Sequence, residues 1–179
     1  TLNGNIVVNN DITITSNLDV SASNYLVSVK RNWINNGTFN AQEGAVVFDG
    51  SVAQTLSGLG TTTFNQLDLN NTSGGVTLSS GSYILNSVIN PLNGNFNTNG
   101  QSFTMISDAS RTARIGQVAP SASLSGQCSC RRWSSSPDRR GCRGGNTADR
   151  YWRDTGRTRR GVDPPSTARD TSRQPRSSP

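Results

Sequence analysis

Short stretches of alternating apolar and polar residues, broken every few positions by Asn, Gly, Ser or Asp, run through the first two thirds of this chain. Ile6-Val7-Val8, Ile12-Thr13-Ile14-Thr15, Leu18-Asp19-Val20, Tyr25 to Val29, Ala45 to Phe48, Ala53 to Leu56, Thr61 to Phe64, Leu67-Asp68-Leu69, Val76-Thr77-Leu78, Tyr83-Ile84-Leu85 and Val88-Ile89 all read as period-two strands. Asn9-Asn10-Asp11, Ser16-Asn17, Asn35-Asn36-Gly37, Asp49-Gly50-Ser51 and Asn70 to Gly75 supply the turns between them. No window repeats apolar residues at helical spacing, and β-branched residues, Asn and Gly disfavour a helix. The body is therefore all-β.

Strands of three to five residues are too short for a typical sandwich, whose turn signals come every 8–12 residues. They suit a right-handed parallel β-helix or solenoid, in which each coil carries several small faces and stacks on the next. An irregular β-sandwich is the competing architecture. A recurring motif supports the solenoid. Gly37 to Phe48 returns as Gly94 to Met105, with Phe39 on Phe96, Asn40 on Asn97, Val46 on Phe103 and Phe48 on Met105. The offset suggests three coils of about 19 residues each. A shorter echo is Thr62-Thr63-Phe64-Asn65. The pattern puts Phe39, Val46 and Phe48 inward and Asn40 at a corner, with asparagines at successive corners forming hydrogen-bonded ladders.

Charge divides the chain near Val118. Before it lie four basic residues (Lys30, Arg31, Arg111, Arg114) and six acidic ones (Asp11, Asp19, Glu43, Asp49, Asp68, Asp108). After it lie 13 arginines and five aspartates, with neither lysine nor glutamate, so the basic pI belongs to the tail. Residues 119–179 contain a single leucine (Leu124) and a single valine (Val162). So little apolar surface cannot offset an ordering cost of about 1–2 kcal/mol per residue, and the expectation is a β-solenoid over 1–118 with a disordered Arg/Ser/Pro-rich tail over 119–179. A change of reading frame accounts for the break equally well. Reading the Gln127-Cys128 codons one base later gives Asn or Ser followed by Val, which restores a strand.

Trp33-Ile34-Asn35-Asn36-Gly37-Thr38-Phe39-Asn40, followed by Val47-Phe48-Asp49-Gly50-Ser51 and Ala53-Gln54-Thr55-Leu56-Ser57-Gly58, resembles a repeat of large bacterial surface proteins. So do Thr62 to Asn71 and Ser107 to Gly116. The resemblance is to secreted β-solenoid segments of multidomain proteins exported by the type IX pathway, and it covers most of residues 30 to 118. It implies an extracellular or cell-surface location and a non-enzymatic stalk or adhesin-like role. It carries no catalytic, cofactor or metal residues with it. No export signal or apolar run near 18 residues is present, so the expectation is a fragment with that signal upstream and no membrane span.

The chemical candidates are thin. The chain has no histidine, which removes His-based triads and acid–base schemes. Cys128-x-Cys130 with Cys142, and Asp138 or Asp149 as fourth ligand, departs from the usual zinc spacing and reads as incidental thiols. Trp133, Tyr151 and Trp152 among tail arginines could serve a single-strand nucleic-acid binder, but the acidic body argues against that partner. Asp11, Asp19, Asp49, Asp68 and Asp108, with Lys30 and Arg31, are the only candidates for carbohydrate processing or calcium contact, and each lies where a solvated turn residue is normal. Asn36-Gly37-Thr38 and Asn70-Asn71-Thr72 match glycosylation acceptors at the frequency expected of an Asn- and Thr-rich chain. The remaining partners are surface glycans, as the alternative reading, and neighbouring coils that associate through open solenoid ends.

Overall fold

A computed structural model of the chain describes residues 1–108, 110–132 and 153–154, with side chains for all of these except 127–132 and 153–154. Among the described residues there is no helix. The strands in chain order are β1 (Ile6–Val8), β2 (Ile12–Ile14), β3 (Asn17–Asp19), β4 (Val27–Val29), β5 (Trp33–Asn35), β6 (Thr38–Asn40), β7 (Ala45–Phe48) and β8 (Gln54–Gly58). They continue as β9 (Thr61–Asn70), β10 (Val76–Leu78), β11 (Ser82–Asn97), β12 (Ser102–Ser107), β13 (Arg114–Ile115), β14 (Ala122–Ser125), β15 (Gln127–Arg132) and β16 (Arg153–Asp154).

Every strand-to-strand pairing is parallel, and each strand pairs with one roughly a coil away in sequence. The chain is a three-faced β-solenoid of about five coils. Its first face stacks Ile6, Val27, Val46, Leu67, Ile89 and Ile115 in one column. Its second face stacks Ile12, Trp33, Leu56 and Leu78, with Val76, Phe96 and Leu124 continuing alongside. The third face begins with Leu18 on Phe39 and ends with Phe64, Leu85 and Met105. Long strands β9 and β11 bend around corners and serve more than one face, which merges short stretches that read separately in the sequence.

Alternation drives this arrangement. Inward positions from the second coil onward are buried, with Val27, Trp33, Phe48, Leu56, Phe64, Leu67, Leu78, Leu85, Ile89, Phe96 and Leu124 wholly so, while Ile6, Ile12 and Leu18 of the first coil are partly buried. Full burial of such a side chain is worth about 1.5–3 kcal/mol, and like side chains fall over one another every coil. The rings of Trp33 meet Phe39 at 4.9 Å and Phe64 at 5.6 Å, while Phe64 stacks on Tyr83 with an interplanar angle of 2°. These contacts tie coils two, three and four together. Among the described residues Trp33 Nε1 is the one buried side-chain donor without an acceptor.

The register corrects the long repeat. Successive positions down the first-face column advance by 21, 19, 21, 22 and 26 residues, not a uniform 19. Phe39 stacks on Leu18 in the third face, whereas Phe96 lies between Val76 and Leu124 in the second. Val46 lies on the first face, whereas its supposed equivalent Phe103 pairs with Tyr83 on the third. The two copies share a strand–turn–strand pattern but are one face out of step around the coil. The shorter Thr-Phe-Asn echo is structural, for the rings of Phe39 and Phe64 are 6.0 Å apart on neighbouring coils. The inward positions Phe39, Val46 and Phe48 are buried, and Asn40 ends β6.

The solenoid continues past the compositional break at Val118. β14 pairs with β11 in register Phe96 to Leu124, and Leu124 is fully buried. β15 adds to β12 with Met105 opposite Cys130. The expected disorder of residues 133–152 and 155–179 lies outside the described residues.

Candidate functional site

Two places on the outer surface gather polar groups. On the first face, Ser28, Val47, Asp68 and Asn90 occupy one outward row across four coils. The Ser28 hydroxyl donates to Asp49 Oδ1 at 2.9 Å, and Lys30 Nζ donates to Asp49 Oδ2 at 2.6 Å. Asp68 accepts from Gln66 Nε2 at 3.0 Å and from Asn90 Nδ2 at 2.7 Å. Asp68 lies within β9, while Lys30 and Asp49 directly follow β4 and β7 of the same sheet, so the three sit along one face as a catalytic groove would need. Each carboxylate is already occupied, however: one by a lysine and a hydroxyl, the other by two amides.

The second place is a groove of about 340 Å³ on the third face, lined by Thr61, Ser82, Tyr83, Ile84, Ser102, Thr104 and Ile106. Thr61, Ser82 and Ser102 stack in register, as do Ile84 and Thr104. Among the described residues hydroxyls and aliphatic carbons line it. Such a surface can exchange hydrogen bonds with a neutral polyhydroxylated ligand.

The other acids also serve the backbone. Asp11 Oδ1 accepts the Asn32 amide of the next coil at 2.9 Å. Asp19 accepts from the Ser21 amide at 2.6 Å and from the Asn40 and Gln42 side chains. The Ser21 N–H, more than any other group, holds the Asp19 carboxyl below its usual value. Slight burial opposes this, and the Asn40 and Gln42 amides and the N-terminal amine reinforce it. Asp108 behaves alike: the Ser110 amide lowers it most, then the Ser110 hydroxyl and the Arg111 amide, against slight burial, with the Arg111 charge adding a little. Burial pushes the Tyr83 phenol far up, and its hydroxyl donates to the Ser80 carbonyl at 2.6 Å.

The corner asparagines form ladders of two kinds. Asn40 donates to Asn17 at 3.3 Å and Asn93 to Asn70 at 2.6 Å, side chain to side chain. More often a corner carbonyl or carboxylate oxygen accepts a backbone N–H from the following coil. Asn5 does this for Leu26, Asn24 for Glu43, Asn32 for Thr55 and Asn90 for Gln117. Each such bond satisfies an amide that the turn removes from the strand ladder.

Several buried polar residues escaped the sequence reading, and two of them bond to each other. Gln54 is 1% exposed and Asn71 is 0% exposed, although the pattern assigns them to a strand and a turn. Gln54 Nε2 donates to the carbonyls of Val29 (2.9 Å) and Arg31 (2.7 Å), and its Oε1 accepts from the Gly50 amide (3.0 Å) and Asn71 Nδ2 (2.9 Å). Asn71 Nδ2 also donates to the Val52 carbonyl at 2.6 Å, and its Oδ1 accepts from the Ser73 and Gly75 amides. The pair staples the corners of three coils. Its only sequence signal is a Gln flanked by apolar strand residues and an Asn before a Gly-rich turn.

Among the described residues no three His, Cys, Asp or Glu side chains converge as a metal site would require, and no helix is long and apolar enough to cross a membrane. Cys128 and Cys130 fall in β15, while Cys142, Asp138, Asp149, Trp133, Tyr151 and Trp152 lie outside the described residues. The acceptor asparagines Asn36 and Asn70 are both exposed. No family model, curated protein or solved structure matches the chain.

Proposed function

We propose that the chain is a non-enzymatic structural segment, a stalk or adhesin-like spacer of a secreted or cell-surface bacterial protein. The observation that carries this reading is the use made of its polar groups: Asp11, Asp19, Asp49, Asp68 and Asp108 each accept hydrogen bonds that hold a turn or join coils. At a rise of about 4.8 Å per coil, five coils extend the chain by about 24 Å, and further coils would lengthen it in proportion. The mechanical task is to hold a distance and present a polar surface rich in Ser, Thr and Asn. The type IX kind of export is part of the same proposal. The coding DNA on either side tests it: an upstream signal peptide and a downstream sorting domain are expected, and flanks encoding a cytosolic enzyme would overturn it.

The hydroxyl-lined groove favours a second reading, a carbohydrate-binding β-helix. Trp33, Phe39, Phe48, Phe64, Phe96 and Phe103 are all buried, so these rings offer no stacking platform for a sugar. The full chain on a glycan array separates the two readings. The spacer reading expects no saturable binding, whereas binding lost in Thr104→Val and Ser82→Ala would favour the groove.

The fold also allows self-association. Among the described residues β1 and β2 pair on one side only, and alternation directs the peptide groups of Val7 and Thr13 away from the second coil. Another strand can add to such an edge. Val7→Pro blocks that edge without removing a bond to β4, so it should reduce any concentration-dependent association seen by light scattering.

A further inference from the structure

The chain contains four Asn-Gly pairs: Asn3-Gly4, Asn36-Gly37, Asn93-Gly94 and Asn99-Gly100. This dipeptide is open to a defined reaction. The glycine amide nitrogen attacks the asparagine Cγ, a C–N bond forms, and ammonia leaves to give a cyclic imide. Water then opens the imide at either carbonyl, giving aspartate or its backbone-shifted iso form. No oxidant or metal is needed. The reaction does need a free glycine amide, a free side-chain amide and a backbone able to bring them together.

The solenoid treats the four pairs differently. At Asn36 the attacking nitrogen is occupied, because the Gly37 amide donates to Asn35 Oδ1 at 3.1 Å and Gly37 packs against the Ser16 carbonyl of the coil before. At Asn93 the side chain is held at both ends: Nδ2 donates to Asn70 at 2.6 Å and Oδ1 accepts from Ser121 at 2.9 Å. Its backbone lies within β11, where Asn93 pairs with Asn70 of the coil before and Gly94 with Ala122 of the coil after. Asn99 is the opposite case. Asn99 and Gly100 are both exposed, with φ of 48° and 75°, in the turn between β11 and β12. The Asn99 amide donates to Asn97 Oδ1 and the Gln101 amide closes the turn on the Thr98 carbonyl at 2.8 Å, while among the described residues the Asn99 side chain and the Gly100 amide make no hydrogen bond. A methyl group added at Gly100 would meet nothing within 4 Å, so the turn has room to rearrange. Asn3-Gly4 is also unheld, but it precedes the first strand and lies outside the coils.

We propose that Asn99 is the site of spontaneous deamidation and isoaspartate formation within the solenoid, that Asn3 reacts alongside it, and that coil packing protects Asn36 and Asn93. The product places a new carboxylate, and in the iso form one extra backbone atom, at the turn that starts β12.

Ageing the full chain in mildly alkaline buffer, with fragment-ion mass mapping of each pair, tests the assignment. Conversion at Asn99 and Asn3 should exceed that at Asn36 and Asn93 by at least about tenfold, since the protected pairs react only through local opening. In urea all four should convert at comparable rates. The variant Asn70→Ala frees one end of Asn93 at an exposed position and should raise conversion there several-fold in the folded protein. Equal rates at Asn93 and Asn99 in the folded chain would overturn the proposal, as would an inert Asn99 beside a reactive Asn3. A silent Asn93 in the Asn70→Ala variant would overturn the protection argument for that pair.

Discussion

Replacing Gln54 by Met tests whether the solenoid is held by its buried amides as much as by its apolar columns. The substitution keeps length and burial while removing four hydrogen bonds. Their partners differ in what remains to them. The Val29 carbonyl still accepts the Asp49 amide at 3.3 Å, and Asn71 Nδ2 still donates to the Val52 carbonyl. The Gly50 amide and the Arg31 carbonyl lose the partners that Gln54 gives them. An orphaned buried polar group costs about 1–3 kcal/mol, so two of them predict a loss of about 2–4 kcal/mol once some water reaches the half-buried Arg31 carbonyl. Urea unfolding of the full chain measures it, and amide exchange locates it: Gly50 should lose protection ahead of the strand amides. A control at Gln66, whose half-exposed amide bonds within its own strand to Asp68, should stay within about 1 kcal/mol. Because Gln54 and Asn71 share a bond, Gln54→Met with Asn71→Leu should cost less than the sum of the two single changes. A Gln54→Met protein within about 0.5 kcal/mol of the parent would refute this account.

Gly94 has φ of 76°, and a Cβ there would run into the Asn71 carbonyl oxygen, so Gly94→Ala should destabilise by at least about 2 kcal/mol in the same urea assay. The Asp19 and Asp108 carboxyls lie below their usual values when folded. Their contribution is therefore complete above the ordinary carboxylate range near pH 4 and fades as pH falls through the lower folded values, so the melting temperature should drop only below about pH 4. Asp19→Asn and Asp108→Asn together should flatten that part of the profile. The Lys30–Asp49 pair is partly exposed, at 37% and 23% for the two side chains, so Lys30→Ala should cost no more than about 1 kcal/mol, and less in high salt.

What the sequence makes legible is whatever depends on alternation alone. Val46 and Phe48 fall inward, and Ala45 to Phe48 forms a strand with the boundaries that its apolar–polar pattern predicts. Coil length is harder to read, because corners absorb insertions that strands cannot. The step from Trp33 to Leu56 is 23 residues and that from Phe96 to Leu124 is 28. A fixed-offset comparison therefore drifts around the coil and matches Phe39 with a residue of another face. Leu124 shows a different limit. Composition after Val118 argues against a folded tail, yet one leucine placed over Phe96 continues the second face. A solenoid rung needs only a few correctly spaced apolar positions, because the coil before it supplies the other half of every contact.

The same logic explains why Asn and Asp gather at the corners of the coils. A turn in a stacked coil leaves N–H groups that cannot join a strand ladder, and water is their only competitor for a side-chain acceptor from the neighbouring coil. Asn and Asp are short enough to accept those N–H groups, so selection for stacking alone enriches them at corners. Asp11 accepts the Asn32 amide and Asn32 in turn accepts the Thr55 amide, one acceptor per coil. An Asp-rich edge on a solenoid is thus expected from backbone accounting. Asp11, Asp19, Asp49, Asp68 and Asp108 each accept at least one hydrogen bond from a neighbouring group, as that accounting expects.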